Sequence, residues 1–266
     1  MKEILRGLLP LFLCLNAFAG STLSPESLAR IGFEQKLNGQ TPLDLPFRDE
    51  NGRTVQLGDY FGSKPVILVL GYYGCPMLCT LVNDGLIETL QDLRPDIGSQ
   101  FNILSVSIDP NEKPALAAAK KREYLKRYGR EDADEGWHFL TGDEEPIRRL
   151  ASAAGFGYAY DAGVKQYAHP TGFIVLTPHG RISRYFFGVT FSPKELQAAL
   201  VDASADKTGS RIEQLFLLCF HYSPITGKYG ALIMNIVRGS AAATVLALGG
   251  YVFVMVRRER SGRAAA

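Results

Sequence analysis

Two cysteines three residues apart, Cys75 and Cys79, are the side chains best suited to chemistry in this chain. A thioredoxin-type redox pair has two intervening residues, so the Cys-x-x-x-Cys spacing leaves three readings open. The thiols can close a disulfide, they can together grip a soft metal such as Cu(I), or they can pack as small hydrophobes. His169 precedes Pro170 at the mouth of a β-hairpin, in a loop that could return to the cysteines; alone, such a histidine is more often structural. His138 lies between Trp137 and Phe139 in a strand and reads as packing, and His179 in a Pro-His-Gly turn reads as solvated.

The elements that must position the cysteines are legible around them. Val66 to Leu70 is an unbroken apolar run, the pattern of a strand covered on both faces. Gly71 and Gly74 let the chain turn where a Cβ would be costly, and Pro76 suits a first helical turn. The spacing predicts both thiols on one face at the start of a helix, where the positive end of the dipole favours thiolate. Val82, Leu86, Leu90 and Leu93 continue that helix at helical spacing. Pro42, Pro46 and Asn51-Gly52 predict a small hairpin over Leu43 to Leu57. A second strand follows over Phe101 to Ile108, then a helix from Pro114 to Tyr128 closed by Gly129. Trp137 to Leu140 reads as a short strand, with a helix from Asp143 to about Ala154. Beyond an aromatic, glycine-rich stretch, Phe173 to Leu176 and Ile182 to Phe187 make a hairpin, and a last helix spans about 193–203. Strands alternating with helices and ending in a hairpin imply an α/β sandwich with a mixed central sheet.

The 266 residues allow one ordinary domain with appendages. A net charge of +2, without a basic stripe interleaved with aromatics, gives no case for nucleic acid. Residues 1–19 carry Lys2 and Arg6, an apolar core from Leu8 to Leu15 and Ala17-Phe18-Ala19, the pattern of a cleaved secretory signal. A lipid anchor at Cys14 is disfavoured by Leu13, which stands where a small residue is required. Gly239 to Val256 holds no charge, and Arg257, Arg258, Arg260 and Arg263 follow at once. These predict a membrane helix over 231–256 with a cytoplasmic tail at 257–266. The globular part would then sit on the outer side of a bacterial-type cytoplasmic membrane, crossed once. With Cys14 removed, three cysteines remain, an odd number for a disulfide framework.

Taken together, these stretches resemble the Sco/SenC family, copper chaperones of cytochrome c oxidase assembly. Gly71-Tyr-Tyr-Gly-Cys75-Pro-Met-Leu-Cys79 is similar to its Cys-Pro-x-x-Cys turn, and Ser105-Val-Ser-Ile-Asp109-Pro110 to its following strand end. Trp137 to Gly142, Tyr167-Ala-His169 and the hairpin Phe173 to Gly180 match in the same order. The resemblance implies a thioredoxin-like, peroxiredoxin-related fold over 36–205, after an N-terminal segment at 20–35 and before a linker at 206–230. It also implies a copper site made of Cys75, Cys79 and His169, suited to trigonal Cu(I), or to Cu(II) if a further ligand joins. This sequence departs from the family pattern at Met77, Leu78 and Thr80, where an acidic residue between the cysteines and a proline after them are common. Loss of that negative charge favours thiolate. Ala168 replaces the usual aspartate before the histidine, which removes one partner for the imidazole. The membrane helix also stands at the opposite end from the family's usual N-terminal anchor. In the linker, Cys219 and His221 offer two ligands toward a second site close to the membrane.

Three functions fit these residues. A metallochaperone, not an enzyme, would deliver copper by ligand exchange to a cytochrome c oxidase copper-centre subunit or another copper protein. A thiol–disulfide reductase would use Cys75 as the attacking thiolate of the Cys75–Cys79 pair to keep the acceptor's cysteines reduced. A peroxidase of related fold would want one activated cysteine beside a hydroxyl and an arginine, which the paired thiols argue against.

Overall fold

The computed structural model describes residues 23–75, 78–93, 96–209 and 239–251 except 242 and 249. The chain divides into two compact units between Arg211 and Ile212. In the first, α1 (Pro25–Arg30), β1 (Gly32–Phe33), β2 (Pro46–Arg48), β3 (Thr54–Gln56), β4 (Val66–Gly71) and α2 (Leu78–Gln91) come in order. Next are β5 (Asn102–Ser107), α3 (Pro114–Tyr128), β6 (Trp137–Leu140), α4 (Glu144–Ala153), β7 (Phe156–Gly157), β8 (Ala159–Asp161) and β9 (Gln166–Ala168). The unit closes with β10 (Gly172–Leu176), β11 (Ile182–Phe187) and α5 (Pro193–Ser204).

The main sheet has the order β11-β10-β4-β5-β6. β4, β5 and β6 run parallel, whereas β10 is antiparallel to both β4 and β11. The expected mixed sheet is therefore present. β4 lies at its centre and is buried on both faces, as its uninterrupted apolar run requires. Ile67 and Val69 point into one core, with Phe139, Trp137, Leu86, Leu90 and Leu196. Val66, Leu68 and Leu70 point into the other, with Phe47, Ile147, Leu150 and Tyr185. Each such aliphatic side chain, withdrawn from water, contributes roughly 1.5–3 kcal/mol. The predicted helical face of α2 is the buried one: Val82, Leu86 and Leu90 are all 3% exposed or less, and Leu93, just past the helix end, is equally buried.

The stretch after Gly155 is more ordered than its glycine and aromatic content predicts. It holds β7 paired with β1, and the β8–β9 ribbon, each only two or three residues long. Strands that short carry no readable alternation, so pattern alone could not find them.

His138 does more than pack. Its Nδ1 lies 3.7 Å from Glu50 Oε1, within a buried network in which Lys121 Nζ reaches Glu50 at 2.6 Å and Asp134 at 3.1 Å. The Phe139 N–H donates to the other Glu50 oxygen at 3.1 Å. Burial pushes the Glu50 carboxyl up, but hydrogen bonds from His138, Lys121 and the Phe139 amide outweigh it and hold the group at about 2. His179 is exposed, as its turn predicts.

In the second unit, the described residues between 239 and 251 are helical, with Val245, Leu246, Leu248 and Tyr251 60–75% exposed. Among the described residues no helix is long and apolar enough to cross a membrane. The rest of the expected 231–256 span, the signal at 1–19 and the tail lie outside the described residues, as do Cys219 and His221.

Candidate functional site

The cysteine turn leaves the end of the central strand and is tied to its neighbours there. Gly71 pairs in register with Ser107 of β5, and the Ile108 N–H donates to the Gly71 carbonyl at 2.7 Å. Tyr73 then turns inward, its hydroxyl 2.8 Å from the carbonyls of both Ser105 and Leu140. Burial and the Glu112 and Glu50 charges push this phenol well above its ordinary value, so it stays a donor. The Cys75 N–H closes the turn on the Tyr72 carbonyl at 3.3 Å. Cys75 itself is half-buried and packs on the core that holds Leu70 and Tyr72.

One expectation about this turn changes. Cys75 precedes the helix, whereas Cys79 lies in the first turn of α2, so the two are not a helical i, i+4 pair. Gly74 has no positive φ, and a Cβ there would stand 3.2 Å from Glu112 Oε1, a tight contact with the end of a side chain.

His169 arrives from the other side, directly after β9. It is 6% exposed. Its ring lies edge-on to Tyr72 at 5.9 Å between centroids and beside Phe156 at 5.8 Å. Tyr72 also meets Tyr167 at 5.6 Å, and Tyr167 meets Tyr160 at 5.0 Å. Burial, with the Asp109 charge added, pushes the Tyr167 phenol up to about 12. Gly172, φ +140°, brings the histidine loop onto β11, where a Cβ would meet the Phe186 carbonyl oxygen at 2.1 Å.

The imidazole has a fixed orientation. Its Nδ1 sits 2.8 Å from the Pro170 carbonyl oxygen, which can only accept. Nδ1 is therefore the donor in this contact, and in the neutral ring that leaves the lone pair a metal needs on Nε2. A backbone carbonyl thus orients the ring.

Tyr72 is the common neighbour of Cys75, through its carbonyl, and of His169, through its ring. Among the described residues no three metal-ligating side chains form a cluster, and the Cys79 side chain is not among those described. The sequence reading missed Glu112, whose carboxylate accepts from the Tyr73 N–H at 2.8 Å, the Gly74 N–H at 2.6 Å and the Ser107 hydroxyl at 2.6 Å. Its partners are mostly backbone, so no residue pattern announces it.

A strand–turn–helix on a central parallel strand, within a mixed sheet ending in an antiparallel hairpin, defines a thioredoxin-like α/β protein. The SCO1/SenC family profile matches residues 35–204, and the chain belongs to that family. No curated protein matches the chain. Among solved structures, a protein of Aquifex aeolicus VF5 assigned to electron transfer is similar at 24% identity, with a TM-score of 0.58 over 66% of this chain and 98% of that one. BsSco, a Sco-family cytochrome c oxidase assembly protein in which a disulfide switch is identified, is similar at 19% identity, with a TM-score of 0.51 over 65% and 99%. Arabidopsis thaliana ScoI, solved with copper bound, is 18% identical with a TM-score of 0.49 over 64% and 99%.

Proposed function

We propose that this protein is a membrane-anchored copper metallochaperone, holding copper with Cys75, Cys79 and His169 and passing it to a cytochrome c oxidase subunit. Family membership supports the class of function. The observation that supports the ligand set is the imidazole: a buried histidine whose ring meets Tyr72, the residue whose carbonyl closes the cysteine turn, with Nδ1 2.8 Å from the Pro170 carbonyl oxygen. Two thiolates and a neutral imidazole suit a soft cation, and their deprotonation on binding makes loading favour higher pH. Copper would leave by stepwise exchange, each cysteine sulfur being replaced by a ligand of the acceptor, with no change of oxidation state required.

The anchor is read from the uncharged stretch before the C-terminal arginines, and the exposed apolar side chains of helix 239–251 agree with a non-aqueous surrounding. That topology places the globular unit on the extracytoplasmic side. Thiol–disulfide exchange at Cys75–Cys79 is the second reading; Cys75 is half-buried at a turn, not sealed in a core.

The test is the reduced full chain with one equivalent of Cu(I), in competition with a chelator. His169→Ala should lower copper affinity at least about tenfold while the Cys75–Cys79 disulfide still forms. Unchanged stoichiometry and affinity in that variant would reject the three-ligand site.

A further inference from the structure

We infer that Glu112 is a positioning residue for the cysteine turn, holding Cys75 in the place from which it binds copper; this rests on the copper reading above. Consecutive backbone N–H groups facing one way form a small anion-binding concavity. Here the Tyr73 and Gly74 amides face one way, and the anion is the protein's own carboxylate, at 2.8 and 2.6 Å. The Ser107 hydroxyl donates to Oε2 as well, so the carboxylate is aimed by the end of β5, the strand paired with the one that carries the turn.

The alternative for an acidic residue just before a helix is service to that helix, whose first N–H groups lack intrahelical partners. Glu112 does not supply it. Lys113 is the N-cap of α3, with no side-chain cap. The carboxylate instead reaches across to a turn 38 and 39 residues earlier in the chain. Gly74 fits this arrangement, since a Cβ there would crowd Oε1 at 3.2 Å. Tyr73 holds the turn from below through its hydroxyl, and Glu112 holds it from the other side through its amides. Cys75 is the next residue.

A charge effect and a positioning effect have opposite signs, which makes the inference testable. A carboxylate near a thiolate–Cu(I) centre repels it, so if charge alone mattered, neutralising Glu112 would tighten copper. If the carboxylate positions Cys75, neutralising it loosens copper. Glu112→Gln keeps the shape but turns an NH₂ toward an N–H donor, and Glu112→Asp keeps the charge but shortens the reach.

The experiment uses the full chain. Amide hydrogen exchange at Tyr73 and Gly74 should be slow in the wild type and at least about tenfold faster in both variants. Cu(I) competition should show both variants weakened about tenfold, with the urea midpoint of unfolding unchanged. Exchange equal to wild type, or copper bound as tightly or more tightly in Glu112→Gln, would overturn the inference. Should the wild type bind no copper, the functional reading falls instead, and Glu112 is then judged on the apo protein. There the equilibrium of the Cys75–Cys79 disulfide plus two glutathione thiols with the dithiol plus glutathione disulfide should shift several-fold in Glu112→Gln. No shift overturns the inference.

Discussion

The cysteine and histidine arms of the site are built by different physics. The cysteine arm is the end of the central strand, and its turn is fixed by directional polar contacts: the Glu112 carboxylate on two amides, the Tyr73 hydroxyl on two carbonyls, and the strand register itself. The histidine arm stands outside the main sheet, on the two-stranded β8–β9 ribbon, and is fixed largely by rings. A two-stranded ribbon is marginal alone in water, so packing has to hold it. Hydrogen bonds fail when geometry or charge changes, whereas ring packing fails when volume changes. The two arms should therefore answer to different substitutions.

The largest expected effect is on what both arms share. Lys121→Ala would leave Glu50 buried without its 2.6 Å partner, which costs roughly 3–5 kcal/mol. It should lower stability without separating the arms, since Glu50 and Lys121 support β6 and α3 and neither arm directly. The pH dependence follows from the folded-state value of about 2, below the ordinary 4.5 of a free carboxyl. Stability from Glu50 is fully present above 4.5 and is lost as pH falls toward 2. Urea unfolding at pH 7, 4 and 3 should show that decline in the wild type, with the Lys121→Ala variant unfolding at higher pH. A loss under about 1 kcal/mol at pH 7 would show the network to be replaceable by water.

A smaller effect should fall on one arm only. Phe156 is 3% exposed and touches His169, Phe33 and Tyr158. Phe156→Leu removes ring volume, for about 1–1.5 kcal/mol of stability. It should weaken Cu(I) binding several-fold while the Cys75–Cys79 equilibrium with glutathione stays at the wild-type value. A shift in that equilibrium would show the arms to be coupled through Tyr72.

The two arms were also unequally legible in the sequence. The cysteine arm could be read because an apolar run, two glycines, a proline and two thiols stand within sixteen residues, and hydrophobic periodicity located β4 and α2. What failed there was detail: Cys75 was expected inside the helix and precedes it, and the Glu112 contacts depend on tertiary approach across 38 residues. In the histidine arm the residue and its loop could be picked out, but only family resemblance made it a ligand. Its strands are two or three residues long, and its stabilising contacts are between rings that the sequence shows merely as aromatic composition. The orientation of His169 was least legible of all, because its partner is a main-chain carbonyl, which every residue carries.

The outer end of the histidine arm gives the smallest expected effect and the sharpest limit on the comparison. Tyr160 is 51% exposed and meets Tyr167 at 5.0 Å, and Tyr167 in turn meets Tyr72. A buried aromatic pair contributes about 0.5–1.5 kcal/mol beyond its area, and one that is half in water belongs at or below the lower end. Tyr160→Thr keeps a residue suited to a strand, so β-propensity does not confuse the result. Stability should change by no more than about 0.5 kcal/mol, and Cu(I) affinity should not change, because Tyr160 reaches His169 only through two further rings. If copper binding instead fell as far as in Phe156→Leu, the ribbon would be held from its exposed tip inward. The histidine arm would then be a chain of rings in which each link matters, and not a histidine locked locally by Tyr72, Phe156 and the Pro170 carbonyl.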